Sequence, residues 1–323
     1  MRLLFFGSPE AAVPFLEECG RPPHQVLSVV TRPDRPSGRG LAPKAPAVKA
    51  AALRLGLSVL QPEDPSSVAG VLKALGADMA VVVAYGKILE PELLGASRLG
   101  SLNVHFSLLP RCRGAAPVAW TLLRGEKLGG VSLFWLDAGM DTGPLQRAAP
   151  EEVRPEDDAL TLMGRLVSKG VLELRAALRD IEAGRVRREP QKGEPTLAPK
   201  LKASDARLGF DRGARELHDR VRALRAGPRA YLELKVPGKD GKPRVTVLRT
   251  AMEIPENGPA DAGQPVPGRI RRIVPSGGFL VECGSGLLWV LEVQPEGKKP
   301  VSGADFLNGL RIRPGERLEA FQR

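Results

Sequence analysis

Short apolar runs alternate with helical patterns through the first half of the chain, and this alternation constrains the fold more than any other feature. The helical patterns lie near Glu10–Cys19, Pro46–Leu55, Pro65–Leu75 and Pro117–Leu123. The apolar runs predict buried strands at Leu3–Phe6, Gln25–Thr31, Ser58–Leu60, Asp78–Ala84 and Ser101–Phe106. Strands that alternate with helices favour an α/β fold with a doubly wound, mostly parallel, Rossmann-like sheet. We expect Ser8 to cap the first helix.

The pattern changes after residue 182. Val131–Leu136 and Leu145–Ala149 continue the predicted sheet, and Glu156–Glu182 has the apolar spacing of one long helix. The next residues are rich in Pro, Gly and charge, which is typical of a linker. An amphipathic helix at Ala214–Leu224 then precedes several short alternating segments, at Tyr231–Val236, Arg244–Ala251, Gly268–Val274, Phe279–Cys283, Leu287–Val293 and Arg317–Phe321. We therefore predict a catalytic domain over 1–182, a linker over 183–205 and a small OB-like β-barrel domain over 206–323.

The positive charge is concentrated in the second part of the chain. The 323 residues carry a formal net charge of +11. Residues 1–182 hold 21 basic and 20 acidic side chains, whereas residues 183–323 hold 27 and 17. A near-neutral part joined to a basic part suggests that one performs chemistry while the other holds a polyanion. The alternative is a cationic surface that only confers solubility.

Cysteine usage and hydropathy indicate the compartment. The three cysteines, Cys19, Cys112 and Cys283, are too widely spaced for a disulfide framework or a CxxC metal site. We therefore expect no metal and a cytoplasmic location. The apolar run that follows Met1 is too short for a signal peptide, and no stretch is long enough to span a membrane. We expect no membrane association, and a monomer as the default state.

Asn103 and His105 are the strongest candidates for catalytic residues. They are two positions apart on a predicted strand, so both side chains point to the same face. An amide and an imidazole aimed at one spot can stabilise the oxyanion of an acyl-transfer intermediate. Asp141, from the separate loop Asp137–Gly143, can control the protonation of the imidazole. The alternatives are a hydrogen-bonded core histidine and an aspartate that only forms a turn.

Two glycine- and proline-rich segments bear on the substrates. The segment that begins at Gly7 lacks the GxGxxG pattern, so a nicotinamide cofactor is not expected. The loop Thr31–Lys49 carries five basic side chains and one acidic side chain. This composition favours a role in phosphate contact, although a solvated flap has the same composition.

Several motifs resemble those of the methionyl-tRNA formyltransferases, and the likeness runs nearly from end to end. The motifs shared with folate-dependent formyltransferases in general are Asn103-Val-His105, Ser107-Leu-Leu-Pro-Arg-Cys-Arg-Gly114 and Asp137-Ala-Gly-Met-Asp-Thr-Gly143. The motifs that point to the tRNA enzyme are Thr31-Arg-Pro-Asp-Arg-Pro-Ser-Gly-Arg-Gly40, Gln294-Pro-Glu-Gly-Lys-Lys-Pro300 and Asp305-Phe-Leu-Asn-Gly309. Phe106 departs from the family pattern, which usually has glycine after the histidine.

The resemblance implies transfer of a formyl group from 10-formyltetrahydrofolate to the amino group of initiator methionyl-tRNA, for translation initiation. It implies that Asn103, His105 and Asp141 are catalytic. It implies a folate site formed by Ser107, Leu108, Leu109, Pro110, Tyr85 and Gly86. It implies tRNA contacts from Arg35, Arg39, Lys44, Lys200 and Lys202.

Two other functions remain open from the sequence. A formyltransferase that acts on a small amine, such as an amino-sugar nucleotide, would have the same catalytic strand. The basic second part and the basic loop argue against it. The other alternative is an RNA-binding protein whose α/β part is only a scaffold. A scaffold has no need of converging polar groups in a cleft, which argues against this alternative.

Overall fold

The chain forms two compact units. The structure is a computed structural model that describes residues 1–37, 42–234, 243–253 and 264–319. Unit 1 consists of Met1–Val118, Lys127–Val153 and Thr161–Lys200. Unit 2 consists of Ala119–Glu126, Arg154–Leu160 and Leu201–Arg323. Two short segments from the first part of the sequence thus belong to unit 2, which periodicity alone does not indicate.

Unit 1 is built on a seven-stranded sheet with a flanking hairpin. Its strands are β1 (Arg2–Gly7), β2 (Gln25–Val30), β3 (Arg35–Ser37), β4 (Ala42–Lys44), β5 (Val59–Leu60), β6 (Met79–Val83), β7 (Ser101–His105), β8 (Leu128–Trp135) and β9 (Leu145–Glu152). The helices before residue 183 are α1 (Val13–Cys19), α2 (Ala47–Arg54), α3 (Ala69–Ala74), α4 (Pro91–Leu94), α5 (Pro117–Leu123) and α6 (Ala159–Glu182). Short 3₁₀ turns at Glu10–Ala12 and Pro65–Val68 lead into α1 and α3.

The sheet has the order β5-β2-β1-β6-β7-β8-β9. Five of its strands run parallel, while β8 and β9 pair antiparallel. Every residue of β6 is buried, and so are all residues of β1 after Arg2, as expected for a parallel sheet covered on both faces. The predicted doubly wound, mostly parallel fold is therefore confirmed. Strand β7 lies between parallel β6 and antiparallel β8.

The prediction for Ser8 is wrong. The hydroxyl of Ser8 donates to the carbonyl of Tyr85 and accepts from the backbone N–H of Arg32, so it joins loops instead of capping a helix. Pro9 precedes the 3₁₀ turn, and no side chain caps either that turn or α1. Capping was inferred from residue type alone, but a hydroxyl at the end of β1 can also bond to the loops of neighbouring strands.

Unit 2 contains an antiparallel sheet packed on a helix. Its elements after residue 200 are a 3₁₀ turn (Ala203–Ala206), α7 (Ala214–Ala223), β10 (Tyr231–Glu233), β11 (Arg244–Met252), β12 (Ile270–Ile273), β13 (Phe279–Glu282), β14 (Leu287–Pro295), β15 (Val301–Ser302) and α8 (Gly303–Leu310). The strand order is β10-β11-β14-β13-β12, and β15 pairs with β14. Leu217 and Val221 lie one turn apart on α7 and belong to the same core as Val247, Phe279 and Val290. The predicted second domain, all antiparallel in its sheet, is confirmed as a fold class.

Two details of unit 2 differ from the sequence prediction. The predicted strand Arg317–Phe321 is, in its described part, an isolated bridge between Arg317 and Arg269. Helix α8 was not predicted, although Ser302 caps it by accepting from the backbone N–H of Asp305. A serine followed by an acid three residues later signals a helix start, and this signal lay inside a segment interpreted as a turn.

The predicted linker is ordered along most of its length. Residues 183–200 belong to unit 1. Leu145 and Glu189 exchange two backbone hydrogen bonds, of 2.7 and 3.0 Å. Ala198 is fully buried. The segment is poor in apolar residues, and backbone hydrogen bonds to the sheet hold it in place. No helix in the described ranges is both long and apolar enough to cross a membrane.

An ion pair with a buried carboxylate joins α1 to α6. Arg175 donates to both carboxylate oxygens of Glu18 at 2.7 Å. The side chain of Glu18 is only 6% exposed. The hydrogen bonds from Arg175, opposed by burial of the carboxylate, hold the pKa of Glu18 below its usual range. The pair therefore contributes stability while Glu18 is ionised.

We expect Glu18→Gln to lower the free energy of unfolding at neutral pH by about 1.5–3 kcal/mol, because it removes charge-assisted hydrogen bonds. The folded pKa is depressed, so this contribution is present above the ordinary pKa of a glutamate and is lost as the pH falls through the folded pKa. Urea unfolding of both proteins across the acid range measures the difference.

Glu17→Gln is the matched control. Glu17 precedes Glu18 on α1 and pairs with Arg54, but both side chains of this pair are exposed, so little stability should be lost. Equal losses in the two variants, or a difference that does not change with pH, would contradict the prediction.

Candidate active site

Asn103 and His105 occupy one face of β7, near its carboxyl end. In register, Asn103 lies opposite Phe134 and His105 lies opposite Ser132 of β8. Because side chains alternate along a strand, these two project to the same side of the sheet. His105 is buried and Asn103 is half-buried. The carboxyl ends of strands in open α/β sheets are the usual position of ligand sites.

The imidazole of His105 has a fixed orientation. Its Nε2 lies 2.9 Å from the carbonyl oxygen of Cys112. A carbonyl only accepts, so Nε2 must carry a proton. The ring also contacts Phe134 edge-on, with ring centres 6.3 Å apart. These contacts direct Nδ1 away from Cys112 and toward Asp141.

Asp141 supplies a negative charge beside Nδ1. Its Oδ2 lies 3.7 Å from Nδ1 of His105 and accepts a 2.7 Å hydrogen bond from the backbone N–H of Gly114. With Nε2 committed to Cys112, only a doubly protonated ring can also donate from Nδ1. The carboxylate of Asp141 thus lies beside Nδ1 but beyond the length of an ordinary hydrogen bond.

The side-chain amide of Asn103 is available to a ligand. Within the described ranges it makes no hydrogen bond, and it is partly accessible. A half-buried amide with unused donors differs from the structural asparagines of turns, which bond to nearby backbone. The face of β7 thus presents the amide of Asn103 and the Nδ1 of His105, which can donate only when the ring is doubly protonated. The structure brings together the three residues predicted to be catalytic.

The predicted folate segment, Ser107–Pro110, is held by a hydroxyl of β8. Ser132 donates to the carbonyl of Ser107 at 2.7 Å and accepts from the backbone N–H of Leu109 at 3.0 Å. The side chains of Ser107, Leu109 and Pro110 are buried, while that of Leu108 is half-buried. A ligand beside this segment would therefore meet mainly backbone groups and Leu108. Ser132 was missed, although a lone hydroxyl in an apolar strand is a signal of such a role.

Tyr85 and Gly86, the other predicted folate residues, differ in accessibility. The Tyr85 side chain is 2% exposed and packs edge-on against Phe6 in the core. Burial raises the pKa of the Tyr85 phenol. Its side chain therefore cannot contact a ligand at the surface of unit 1. Gly86 is exposed, with φ of +77°, and its carbonyl accepts from the Arg32 guanidinium at 2.5 Å.

The predicted tRNA residues lie on exposed segments. Arg35 and Lys44 face each other across the β3–β4 hairpin, and Arg35 pairs with Glu63. Lys200 and Lys202 are exposed, the first in unit 1 and the second in unit 2. Arg39 lies outside the described residues. The hairpin itself was not predicted, because its proline- and glycine-rich sequence was interpreted as a loop.

The residue types of Phe106 and Cys112 do not indicate what these two residues contact. The Phe106 ring is buried against Phe15, with ring centres 6.1 Å apart, so it points into the core and not along the face of His105. Cys112 contacts His105 through its backbone and not through its side chain. Its thiol is buried, but its backbone carbonyl is the partner of His105. Every residue has a backbone carbonyl, so such a contact cannot be predicted from the residue type.

The described part of the chain contains no group of three or more His, Cys, Asp or Glu side chains arranged to hold a metal ion. Of the buried polar atoms without a partner in the described ranges, the Tyr85 hydroxyl is the one on a residue predicted for the site. The polar groups that converge on the face of β7 are those of Asn103, His105 and Asp141.

Both parts of the chain match known protein families. Residues 1–178 match the family described as formyl transferase, and residues 200–311 match the formyl transferase C-terminal domain. A solved N-formyltransferase from Helicobacter canadensis, in complex with folinic acid and dTDP-3-aminofucose, aligns with a TM-score of 0.66 over 90% of this chain and 98% of its own. It is 15% identical, so this likeness shows the fold alone.

Other known proteins have a much higher sequence identity to this chain than that structure has. A methionyl-tRNA formyltransferase from Elusimicrobium minutum is 40% identical over 337 residues, covering 98% of this chain and 99% of that protein. Another, from Thermus thermophilus, is 41% identical over 320 residues with the same coverage. These matches confirm the resemblance seen in the motifs: the chain belongs to the methionyl-tRNA formyltransferase family.

Proposed function

We propose that this chain transfers a formyl group from 10-formyltetrahydrofolate to the amino group of methionyl-tRNA, with Asn103, His105 and Asp141 as its catalytic residues. Relatives of about 40% identity over nearly the whole chain support the reaction. One observation carries the assignment of residues: Asn103 and His105 share a face of β7, and Asp141 lies 3.7 Å from His105.

Asn103 and His105 act on the oxygen of the formyl group. As the neutral amine forms a bond to the formyl carbon, this oxygen gains negative charge. The Asn103 amide and the Nδ1 proton of His105 stabilise that charge. The oxyanion is lost again when the bond between the formyl carbon and the folate nitrogen breaks.

Asp141 and His105 move protons. The amine loses one proton during transfer, and the departing folate nitrogen gains one. The carboxylate of Asp141 stabilises the doubly protonated imidazole, and together the two groups form a local route between donor and acceptor nitrogens. The bond from Gly114 to Asp141 keeps this carboxylate in place throughout.

The segment Ser107–Pro110 and Gly86 form the proposed folate site. Ser132 fixes the backbone of the first segment, and Arg32 fixes the carbonyl of Gly86. Tyr85 contributes through its backbone only, because its ring is buried. Both segments follow central strands of the sheet, β7 and β6, at their carboxyl ends.

Basic residues on both units contact the tRNA. The proposed contacts come from Arg35, Arg39 and Lys44 in the basic loop, and from Lys200 and Lys202. Residues 183–323 carry most of the net positive charge. A small amine would need no such surface, which favours tRNA over an amino-sugar nucleotide as the acceptor. We propose a division of labour in which 1–182 is catalytic and 206–323 binds tRNA.

We further propose that the protein acts as a cytoplasmic monomer. Charged tRNA is found in the cytoplasm. The three free cysteines are buried and suit a reducing compartment.

Asn103→Ala should lower kcat about 10²–10³-fold, because it removes one donor to the oxyanion. The side chain is half-buried and makes no hydrogen bond within the described ranges, so folding should be little affected. Mass-shift detection of N-formylmethionine on tRNA measures the rate, and thermal unfolding checks stability. A wild-type rate in the variant would refute the role of Asn103.

His105→Ala should abolish formyl transfer while tRNA binding survives. The ring is buried beside Asp141, and the proposed tRNA residues lie on other segments. Parallel assays of transfer and of tRNA affinity separate the two functions. Transfer that continues at the normal rate would show that the α/β unit acts as a scaffold at this position. Transfer to small amines in preference to methionyl-tRNA would favour the alternative acceptor.

Replacing both Lys200 and Lys202 by Ala should weaken tRNA binding and make its salt dependence shallower. Each lost phosphate contact reduces the slope of log affinity against log salt concentration by about 1. Filter binding at several salt concentrations measures the slope. Lys73→Ala, on exposed α3, is the control and should keep the original slope. An unchanged slope in the double variant would exclude these lysines as phosphate contacts.

A further inference from the structure

The segment Arg185–Ala198, here called the strap, runs past every loop that touches His105. It was predicted to be a linker, and the function proposed above gives it no role. At its start, Gln146 of β9 donates to the carbonyl of Arg185 and accepts from the backbone N–H of Arg187. Trp135 also donates to the carbonyl of Arg187 at 2.8 Å. These contacts fasten the strap to the sheet.

Gln191 then joins the two loops of the site. Its Nε2 donates to the carbonyls of Asp141 and Gly143, at 2.9 and 2.8 Å. Its Oε1 accepts from Nε and from a terminal nitrogen of Arg113, at 3.2 and 2.7 Å. One neutral amide thus bonds both to the loop that carries Asp141 and to the loop that carries Cys112.

The end of the strap holds the loop that contains Cys112. The backbone N–H of Cys112 donates to Oγ1 of Thr196 at 2.9 Å. The backbone of Arg113 donates to Thr196 and accepts from Ala198, at 2.8 and 2.6 Å. Ala198 also accepts from the backbone N–H of Ala116 at 3.0 Å. The strap therefore pairs with this loop as an added strand would.

The two residues beside His105 have unusual backbone conformations. Asp141 has φ of +55° and Cys112 has φ of +56°. Left-handed conformations are uncommon for residues with a side chain and persist when their surroundings fix them. In each case a strap side chain bonds directly to the backbone of that residue: Gln191 to Asp141, and Thr196 to Cys112. These contacts fix the two groups that flank the imidazole.

Gly114 allows this close approach. A Cβ on Gly114 would lie 2.8 Å from the carbonyl oxygen of Ala198, and its φ is +121°. The N–H of the same residue donates to Asp141. Gly114 is thus in contact with the strap on one side and with the carboxylate on the other, where a larger residue would separate them.

We propose that the strap is part of the active site, and that Gln191 and Thr196 are positioning residues for Asp141 and His105. The proposal rests on the function proposed above, since it assigns their task to the same pair. Gln191 holds the Asp141 loop at the distance that leaves Nδ1 of His105 facing the carboxylate. Thr196 holds Cys112 so that its carbonyl keeps the proton on Nε2.

Gln191→Ala should lower kcat about ten- to a hundredfold, because small displacements of reacting groups are costly, while KM for methionyl-tRNA stays unchanged. Gln191→Glu is the sharper variant. Its carboxylate still accepts from Arg113 but cannot donate to the carbonyls of Asp141 and Gly143. We expect Gln191→Glu to lose as much kcat as Gln191→Ala. A wild-type kcat in Gln191→Glu would overturn the proposed role of Gln191.

Gln146→Ala is the matched control for mere attachment of the strap. It removes two hydrogen bonds to the strap but touches neither loop of the site. It should lower stability to urea while leaving kcat close to wild type. If Gln146→Ala lowered kcat as much as Gln191→Ala, the strap would act only through global stability, and the proposal would fail.

A measurement without substrate makes the test independent of catalysis. The chain has three histidines, so the ring N–H signals of His105 can be assigned by NMR. Thr196→Val keeps the shape of the side chain and removes the acceptor for Cys112. We expect the Nε2 proton of His105 to exchange with water at least tenfold faster in Thr196→Val than in wild type. Unchanged exchange would overturn the role of Thr196.

The two proposals fail in different ways. If His105→Ala kept its activity, the catalytic assignment would be wrong whatever the strap does. If His105→Ala were inactive but Gln191→Glu and Thr196→Val behaved as wild type, the catalytic residues would stand and the strap would be structural only.

Discussion

The hydrogen bond from Nε2 of His105 to the carbonyl of Cys112 determines what the rest of the site can do. It fixes one proton on the ring and turns Nδ1 toward Asp141. In the mechanism proposed above, Thr196 keeps that carbonyl in place, and Asp141 balances the charge of a second ring proton. The sheet fixes the position of His105, because β7 lies between β6 and β8. A one-residue shift of β7 in register would move its buried side chains to the other face of the sheet.

The strap shows why composition is a limited guide to order. Low apolar content correctly indicates that residues 183–200 have no core of their own. Order can also come from neighbours that offer hydrogen-bond partners along a sheet edge and along loops. The pairing of Leu145 with Glu189 and of Arg113 with Thr196 supplies such partners. These contacts are long-range in sequence, so local patterns carry no information about them.

The sequence predicted what depends on alternation and on side-chain type. The strand that carries Asn103 and His105 and the helix Pro117–Leu123 follow from local rules, and the structure contains both. The proximity of His105 and Asp141 was inferred from the chemistry of the two side chains, and the structure places them 3.7 Å apart. The contacts of backbone groups and the burial of individual loop residues could not be predicted. The carbonyl of Cys112 and the burial of Tyr85 depend on how loops cross the end of the sheet, and neither residue type nor spacing records this. The assignment of Ser8 as a cap was wrong for the same reason.

A glutamine at position 191 suits a place beside the guanidinium of Arg113 and the carbonyls of Asp141 and Gly143. An amide is a side chain that combines two donors with an acceptor oxygen and carries no charge. Gln191 can therefore bond to the guanidinium of Arg113 and to two backbone carbonyls at once. A carboxylate there would repel the carbonyls of Asp141 and Gly143 and would add a negative charge near Asp141. A neutral link leaves Asp141 as the anion that faces His105, so the electrostatic balance of the pair is set by one residue.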